Sequence, residues 1–359
     1  MEPEPGPKPK RWYIATGSKV HPCNPHLDAI RASHGAERLP FNYSGAEFDL
    51  KWVKRIEKVD WATFDGQKQL VNWVRGSSML TEKADLARSL RRYGQRSLVD
   101  VNFHPRTYIL ADGNERHLLL ATLDAESQTA QGAGHLLIMK PGRNGSQGRG
   151  IEVHSAVTMA EMLRDMRVET MRHTVEGEQV KTMRLPDDFI VQEYVDRPLL
   201  IEGRKFDLRC YACIFTTQPS LHVVYWPRSG YVRQAMADYT SSNLADRTAH
   251  LTNVKVMRDT ADFDMQAERA IWDFERLQAF LTAEQLAPPD YVGEDLKGQM
   301  RDIMTHAFLS IESEVSKERG QFQLLGFDLL VDTELKLHLI EVNYNPSLST
   351  HTSVLKQVI

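Results

Sequence analysis

The stretch FDLLVDTELKLHLIEVNYNPSLST, Phe327 to Thr350, reads as two apolar strands around a polar turn. Among its leucines and valines stand Asp328, Glu341 and Asn343. A symmetric turn across Thr333–Lys336 sets Asp332 opposite Leu337 and Asp328 opposite Glu341. Asn343 lies two residues beyond Glu341 and shares its face. Two carboxylates at cross-strand distance repel and do not both stay ionised when buried. A hard divalent cation removes that conflict, and carboxylate and amide oxygens suit Mg²⁺, which makes Asp328, Glu341 and Asn343 candidate metal ligands. The alternative is a solvent-facing end of an edge hairpin. Apolar residues on both faces (Leu329, Leu330, Val331, Leu339, Ile340, Val342) speak for a buried sheet instead.

A metal with so few protein ligands calls for a phosphate partner. In IMKPGRNGSQGRGIEV (Ile138–Val153) a strand ends in Lys140 and a glycine-rich loop follows, with Gly142, Gly145, Gly148 and Gly150. Small residues let backbone N–H groups approach phosphate oxygens, and Lys140 reaches them as a point charge. No G-K-[ST] closes the loop, so it is not a P-loop. In RKFDLR (Arg204–Arg209), Lys205, Asp207 and Arg209 alternate along a strand and share one face. Alone, that row fits an anion-lined site and a salt-bridged edge strand equally well.

The remainder of the chain sets limits. A length of 359 residues implies two or three domains. Hydrophobic content of 42% and charged content of 26% are those of a soluble globular protein. A net charge of −4 gives no global attraction to nucleic acid or membrane. Two basic clusters, Arg88/Arg91/Arg92/Arg96 and Arg164/Arg167/Arg172, read first as solvated helix faces. Three cysteines (Cys23, Cys210, Cys213) argue against a disulfide framework and fit a reducing compartment. Cys210 and Cys213 lie on a strand, three apart and on opposite sides, which disfavours redox or zinc chemistry. No apolar run reaches the length of a membrane helix. MEPEPGPKPKR lacks a signal-peptide core and is expected to be disordered.

The pattern of elements is irregular. RWYIATG is a strand, Pro25–Ala36 a helix, and FDLKWVK and VDWATF short strands. LTEKADLARSLRRYG is an amphipathic helix capped by Thr81. A polar Gln/Gly-rich loop precedes the strand ending in Lys140. SAVTMAEMLRDMR is a helix, DFIVQEYVDRPLLIEGRKFDLRCYACIF two strands and a connector, and LHVVYWPRSGYVR a hairpin. Residues 261–318 are mostly helical, with Ile271, Phe274, Leu277 and Phe280 at helical spacing. Without a regular βαβ rhythm, irregular α/β or α+β is favoured over a Rossmann array.

Taken together, MKPGRNGSQGRGI, VQEYVDRPLLIEGRKFDLR, HLTN (His250–Asn253), LLGFDLLVD and IEVNYNPSLSTHT resemble the tubulin–tyrosine-ligase-like family of ATP-grasp amino-acid ligases. PRTYIL and LTEK upstream fit too. The resemblance implies an α/β (α+β) ATP-grasp fold with N-terminal (11–79), central (80–190) and C-terminal (191–359) subdomains after a disordered start (1–10). It implies that Lys83 and Lys140 approach ATP phosphates, and that Gln192, Glu193, Tyr194 and Val195 form the adenine hinge. Lys205 and Asp207 then contact ribose and phosphate, and Asp328, Glu341 and Asn343 hold Mg²⁺. Arg209 and Arg228, with Thr252 and Asn253, face the carboxylate substrate and the incoming amino acid; Arg209, Glu341 and Lys140 are the implied catalytic set. Many relatives carry lysine where Glu193 sits, and they continue past THTSVLKQVI, which looks like the first turns of a longer helix.

The implied partners are tubulin tails on microtubules and a free amino acid. Asn343–Ile359 and RSLRRYG look closest to the glycine-adding branch; glutamate and tyrosine are the alternatives. The implied setting is a monomer in the cytoplasm, on the cytoskeleton or in the cilium. A relative that only binds microtubules or nucleotide is the different-class alternative. A protein kinase is excluded by the lack of H-R-D and D-F-G.

Overall fold

In the computed structural model, the described residues are 10–15, 25–40, 43, 45–127, 135–142, 150–165, 169–175, 178–185, 188–218, 221–252 and 263–359. The Pro-rich start, the Gln/Gly-rich loop, Gly145, Gly148, Arg167 and Asn253 lie outside them. The architecture is mixed α/β with three main sheets and a separate hairpin.

The first sheet is parallel, in the order β2 (Glu37–Arg38), β1 (Arg11–Ala15), β3 (Leu50–Val53), β4 (Leu70–Val71), with helix α1 (Pro25–Ser33) beside it. VDWATF is not a strand. Asp60 accepts the Ala62 N–H and bends the chain into turns, the local competition that Asp favours. The second sheet runs β5 (Thr107–Ile109), β10 (Phe189–Glu193), β6 (Leu136–Pro141), β7 (Glu152–Ser155). Helices α4 (Gly113–Ser127) and α5 (Ala156–Arg164) pack with it around Leu119, Leu123, Met159 and Val191. Strands β8 (Glu169–Val175) and β9 (Glu178–Leu185) form the separate hairpin.

The third sheet centres on β12 (Arg204–Gln218), between β16 (Phe322–Val331) on one side and β13 (Leu221–Tyr225) and β14 (Gly230–Gln234) on the other. β11 (Leu200–Ile201), β15 (Ile271–Trp272) and β17 (Leu337–Tyr344) complete it. β13 and β14 both pair with β12 rather than with each other, so LHVVYWPRSGYVR is not a hairpin. Ile271, expected in a helix, lies in β15; Phe274 and Leu277 are buried in the helix Phe274–Ala283.

Alternation along β12 separates two environments. Phe206, Leu208, Cys210, Ala212 and Ile214 point into the main core with Met300, Ile303 and Met304 of the helix Lys297–Leu309. Lys205, Asp207, Arg209 and Tyr211 take the other face. Cys210 is buried and Cys213 half-buried, both as free thiols. A two-residue turn at Glu202 (φ 51°) and Gly203 (φ 78°), the positive-φ geometry of tight hairpins, sets the register that begins this row.

Helices α2 (Ser78–Thr81) and α3 (Lys83–Ser97) lead from the first sheet toward the others. Thr81 ends α2 and does not cap α3; the N-cap of α3 is Glu82, which makes no side-chain cap bond. The first sheet is stitched to β16 by glutamines: Gln323 accepts from Val74 N–H and Ser77 Oγ, and Gln321 from Arg75 N–H. Asn345, at φ 45°, adds a clamp just past β17. Its amide donates to the Lys54 carbonyl at 2.6 Å and accepts from Asn72 at 3.3 Å.

Replacing Asn345 with glycine keeps the left-handed backbone and removes only the clamp. Asn345→Gly is expected to lower unfolding stability by about 1–3 kcal/mol and to speed proteolysis within residues 45–75. Unchanged cleavage there would show that the clamp contributes nothing.

Candidate functional site

The hairpin of β16 and β17 carries Asp328 opposite Glu341, as the sequence implies, but by another route. At the tip Val331, not Asp332, faces Leu337. That register alone would put Ile340 opposite Asp328. A bulge between Asp328 and Leu329 on one strand and across Ile340 on the other restores the pairing. The tip itself is tightened by Asp332, whose carboxylate accepts the Glu334 and Lys336 N–H groups.

The two carboxylates do not face each other unrelieved. Asp328 is gripped by Arg209 through Nε and Nη2 at 2.5 and 2.9 Å, and by Arg233 at 3.0 Å. Glu341 pairs with Lys83 at 2.8 Å. Asn343 donates to both, at 3.1 Å to Asp328 and 3.0 Å to Glu341. The repulsion expected from the sequence is thus compensated by protein cations. Burial would by itself raise the Glu341 carboxyl; Lys83, then Lys140 and Asn343, outweigh it and hold it well below the ordinary range.

Arg233 was not anticipated. It lies in β14 beside Asp207, which it grips with two 2.6 Å bonds while also reaching Asp328. Thr252 closes the remaining side of Asp207 at 2.5 Å. Arg228, the arginine expected to face substrate, is exposed at a left-handed position (φ 57°) between β13 and β14. The signal for Arg233 is the nearby GYVRQ, whose alternation sets Tyr231 and Arg233 on the face of Arg209. Gly326 makes room for the cluster: a Cβ there would lie 2.9 Å from Pro346 Cβ and 3.2 Å from Arg209 Cδ.

Two buried lysines stand apart from this pairing. Lys140, at the end of β6, donates to the Gln192 amide oxygen at 2.6 Å, and Gln192 donates on to Thr107 at 2.8 Å. Lys205 donates to the Tyr194 hydroxyl at 2.8 Å. Among the described residues neither ammonium has a carboxylate within ion-pair distance. Burial above all brings both down to about 7; at Lys140 the nearby Lys83 adds to it and Glu341 partly offsets it, and at Lys205 Asp207 partly offsets it. A buried cation with neutral partners is the arrangement an arriving polyanion completes.

The residues expected at the adenine hinge divide between two faces. Gln192 points toward Lys140, whereas Glu193 faces Tyr108 and Arg106 on the other side of the sheet. Glu193, Tyr194 and Val195 also border a cleft of about 760 Å³, floored by His104, Thr107 and His338. None of Lys140, Lys205, Asp207, Arg209, Asp328 and Glu341 lines that cleft. In the α3 basic cluster, Arg91 is tied to Glu115 and the Thr107 carbonyl, and Arg88 to Asp85, so both serve the fold.

The donor set of Asp328, Glu341 and Asn343 fits a magnesium ion: two carboxylates and an amide are hard oxygen ligands on one sheet face, within hydrogen-bond reach of one another. Among the described residues no cluster of three or more His, Cys, Asp or Glu side chains gathers as a metal site, so a cation here relies on that mixed set.

This chain belongs to the tubulin-tyrosine ligase family, whose model matches residues 63–359. It is 28% identical over 333 residues to the protein polyglycylase TTLL10 of Mus musculus, covering 87% of this chain and 45% of that protein. It is 32% identical over 274 residues to the inactive polyglycylase TTLL10 of Homo sapiens, covering 74% and 38%. It is 27% identical over 327 residues to the probable tubulin polyglutamylase TTLL9 of Bos taurus, covering 84% and 67%. The chain spans less than half the length of the two polyglycylase-named relatives. The mixed α/β architecture is the ATP-grasp-like fold of that family.

Removing one partner of a buried ion network leaves the others uncompensated. Arg233→Met is expected to cost about 3–5 kcal/mol of stability in denaturant unfolding; a loss under about 1 kcal/mol would place the arginine outside the network.

Lys140 predicts the opposite sign. Its folded pKa, about 7, lies below that of the unfolded chain, near 10.5. The unfolded state therefore binds more protons between those values, so this residue's penalty is full below pH 7 and fades as pH rises toward 10.5. Lys140→Met is expected to raise the melting temperature at pH 7 and to narrow the gap at pH 9.5. A variant less stable than the parent at pH 7 would contradict the uncompensated burial.

Proposed function

We propose that this protein is an ATP-dependent carboxylate–amine ligase that adds glycine to tubulin-tail carboxylates. The observation that carries the reading is the pair of buried lysines held by neutral acceptors, Lys140 on β6 and Lys205 on the same sheet face as Asp328, Glu341 and Asn343. Such a site lacks negative charge in the form of a polyanion, and a nucleoside triphosphate supplies it.

The division of labour follows from the residues. Lys140, Lys205 and Lys83 bind phosphate oxygens, Lys83 leaving Glu341 to do so. A magnesium ion held by Asp328, Glu341 and Asn343 would supply charge neutralisation during phosphoryl transfer. Arg209 and Arg233 orient the acceptor carboxylate. That carboxylate is a poor acyl donor until it takes the γ-phosphoryl group of ATP, releasing ADP; the amine of a free amino acid then attacks the acyl phosphate, forming an amide and releasing phosphate and a proton. Glycine is supported by the mouse relative's name, polyglycylase, and by the resemblance of Asn343–Ile359 to the glycine-adding branch. A cytoskeletal or ciliary setting follows if the acceptor is tubulin.

A second reading is a nucleotide-binding relative without ligase activity, favoured by the name of the human protein, inactive polyglycylase. Labelled glycine, glutamate and tyrosine, offered together with ATP and Mg²⁺ over tubulin and over a pre-glycylated tail peptide, separate the possibilities. Glycine is expected to dominate. Glutamate or tyrosine above glycine overturns the donor assignment, and ATP binding without any incorporation favours the second reading.

A further inference from the structure

Lys205 is the member of the β12 row whose charge nothing nearby balances. Asp207, two residues on, is consumed by Arg233 and Thr252. The Lys205 ammonium instead sits 4.1 Å from the centroid of the Tyr194 ring and 2.8 Å from its hydroxyl. The Tyr194 hydroxyl lies 2.9 Å from His250 Nδ1, and His250 Nε2 lies 3.0 Å from the Asn243 carbonyl.

The chemistry of the last contact fixes the direction of the whole chain. A carbonyl only accepts, so Nε2 carries the proton and Nδ1 the lone pair. Nδ1 then accepts from the Tyr194 hydroxyl, whose own lone pair accepts from Lys205. All three side chains are buried. Tyr239 packs edge-on against the His250 ring at 5.7 Å and holds it in that orientation. The chain joins three separate elements: the end of β10, the start of β12, and the short helix α6 (Arg247–His250) that opens the HLTN stretch.

We propose that Tyr194 and His250 are positioning residues that hold Lys205 as an uncompensated hydrogen-bond donor, so that polyanion binding at this site draws a proton from solvent. The proposal rests on the reading of the site as one for nucleotide phosphates. The charged and titratable groups that face the chain are few. Asp207 and Lys140 act on Lys205 from β12 and β6; Asp196 and Tyr239 act on Tyr194; Asp246 and Lys205 act on His250. Burial holds Lys205 near 7 and keeps His250 below its ordinary value, so near pH 8 the amine is largely neutral and the imidazole uncharged. Phosphate oxygens stabilise the ammonium, so the Lys205 amine takes up one proton from the buffer: R–NH₂ plus H⁺ gives R–NH₃⁺.

Calorimetric titration of the full chain with a non-hydrolysable ATP analogue tests this, run at pH 8 in buffers of different ionisation enthalpy. The parent is expected to take up protons on binding. Lys205→Met removes the Lys205 share of that uptake, leaving the part due to Lys140. Tyr194→Phe takes away the acceptor of the charged amine; a shift of one pKa unit weakens binding by up to about tenfold at pH 8, with a smaller effect at pH 6. His250→Phe moves binding and uptake in the same direction, and His250→Asn, which retains an acceptor, restores part of it; this pair keeps the test valid if Tyr194→Phe folds poorly. Binding without proton uptake, or uptake unchanged in Lys205→Met and Tyr194→Phe, overturns the proposal alone. Absence of analogue binding by the folded parent overturns the nucleotide reading and the proposal together.

Discussion

The buried network of Asp207, Arg233, Asp328 and Arg209 is the constraint on which the site depends. Ions withdrawn from water are tolerated only when each is paired and hydrogen-bonded. Here two acids and two arginines interlock across three adjacent strands, with Thr252 closing the open edge of Asp207. Their geometry in turn rests on β12, whose opposite face is anchored by apolar residues against the helix Lys297–Leu309. A shift of β12 by one residue would exchange the two faces, burying charge in the core and exposing leucine at the site.

Under the proposed function, the contrast between paired and unpaired cations would give the site its preference for phosphate. Arg209, Arg233 and Lys83 each have a carboxylate in the protein; Lys140 and Lys205 have only an amide and a phenol. The first group is neutralised within the protein, and the second is a local deficit of negative charge. The fold therefore carries an unfavourable burial of lysine that an anion would relieve.

Much of this was legible in the sequence. The two acids and the amide of the terminal hairpin, the one-faced row of β12 and the lysine ending β6 all follow from strand periodicity and residue chemistry. What was not legible depends on long-range packing. Lys83 lies 258 positions from the glutamate it neutralises, so no local pattern announces the pair. Arg233 sits in a short strand, GYVRQ, whose alternation places it beside Asp207 only once β14 is paired with β12, and Arg228 lies in the exposed connection before it. Thr81 had the spacing of a helix cap, yet a preceding helical turn used it. In each case a tertiary contact decided what the local pattern left open.

The bulge at Ile340 has a consequence for length variation in this hairpin. Between tip and site the strands change phase by one residue, so the two ends of the hairpin obey opposite parity. Residues beyond the bulge are spaced for the turn; residues before it are spaced for Asp328, Glu341 and Asn343. Deleting Ile340 would remove the bulge and leave Glu341 opposite Asp328 in a regular ladder. An unpaired insertion elsewhere in either strand would put the acids out of line or alter the turn, whereas a paired insertion at the tip would lengthen the hairpin and leave the acids where they are. The hairpin thus contains a segment free to drift in length joined to one whose count is fixed, with a single isoleucine as the border.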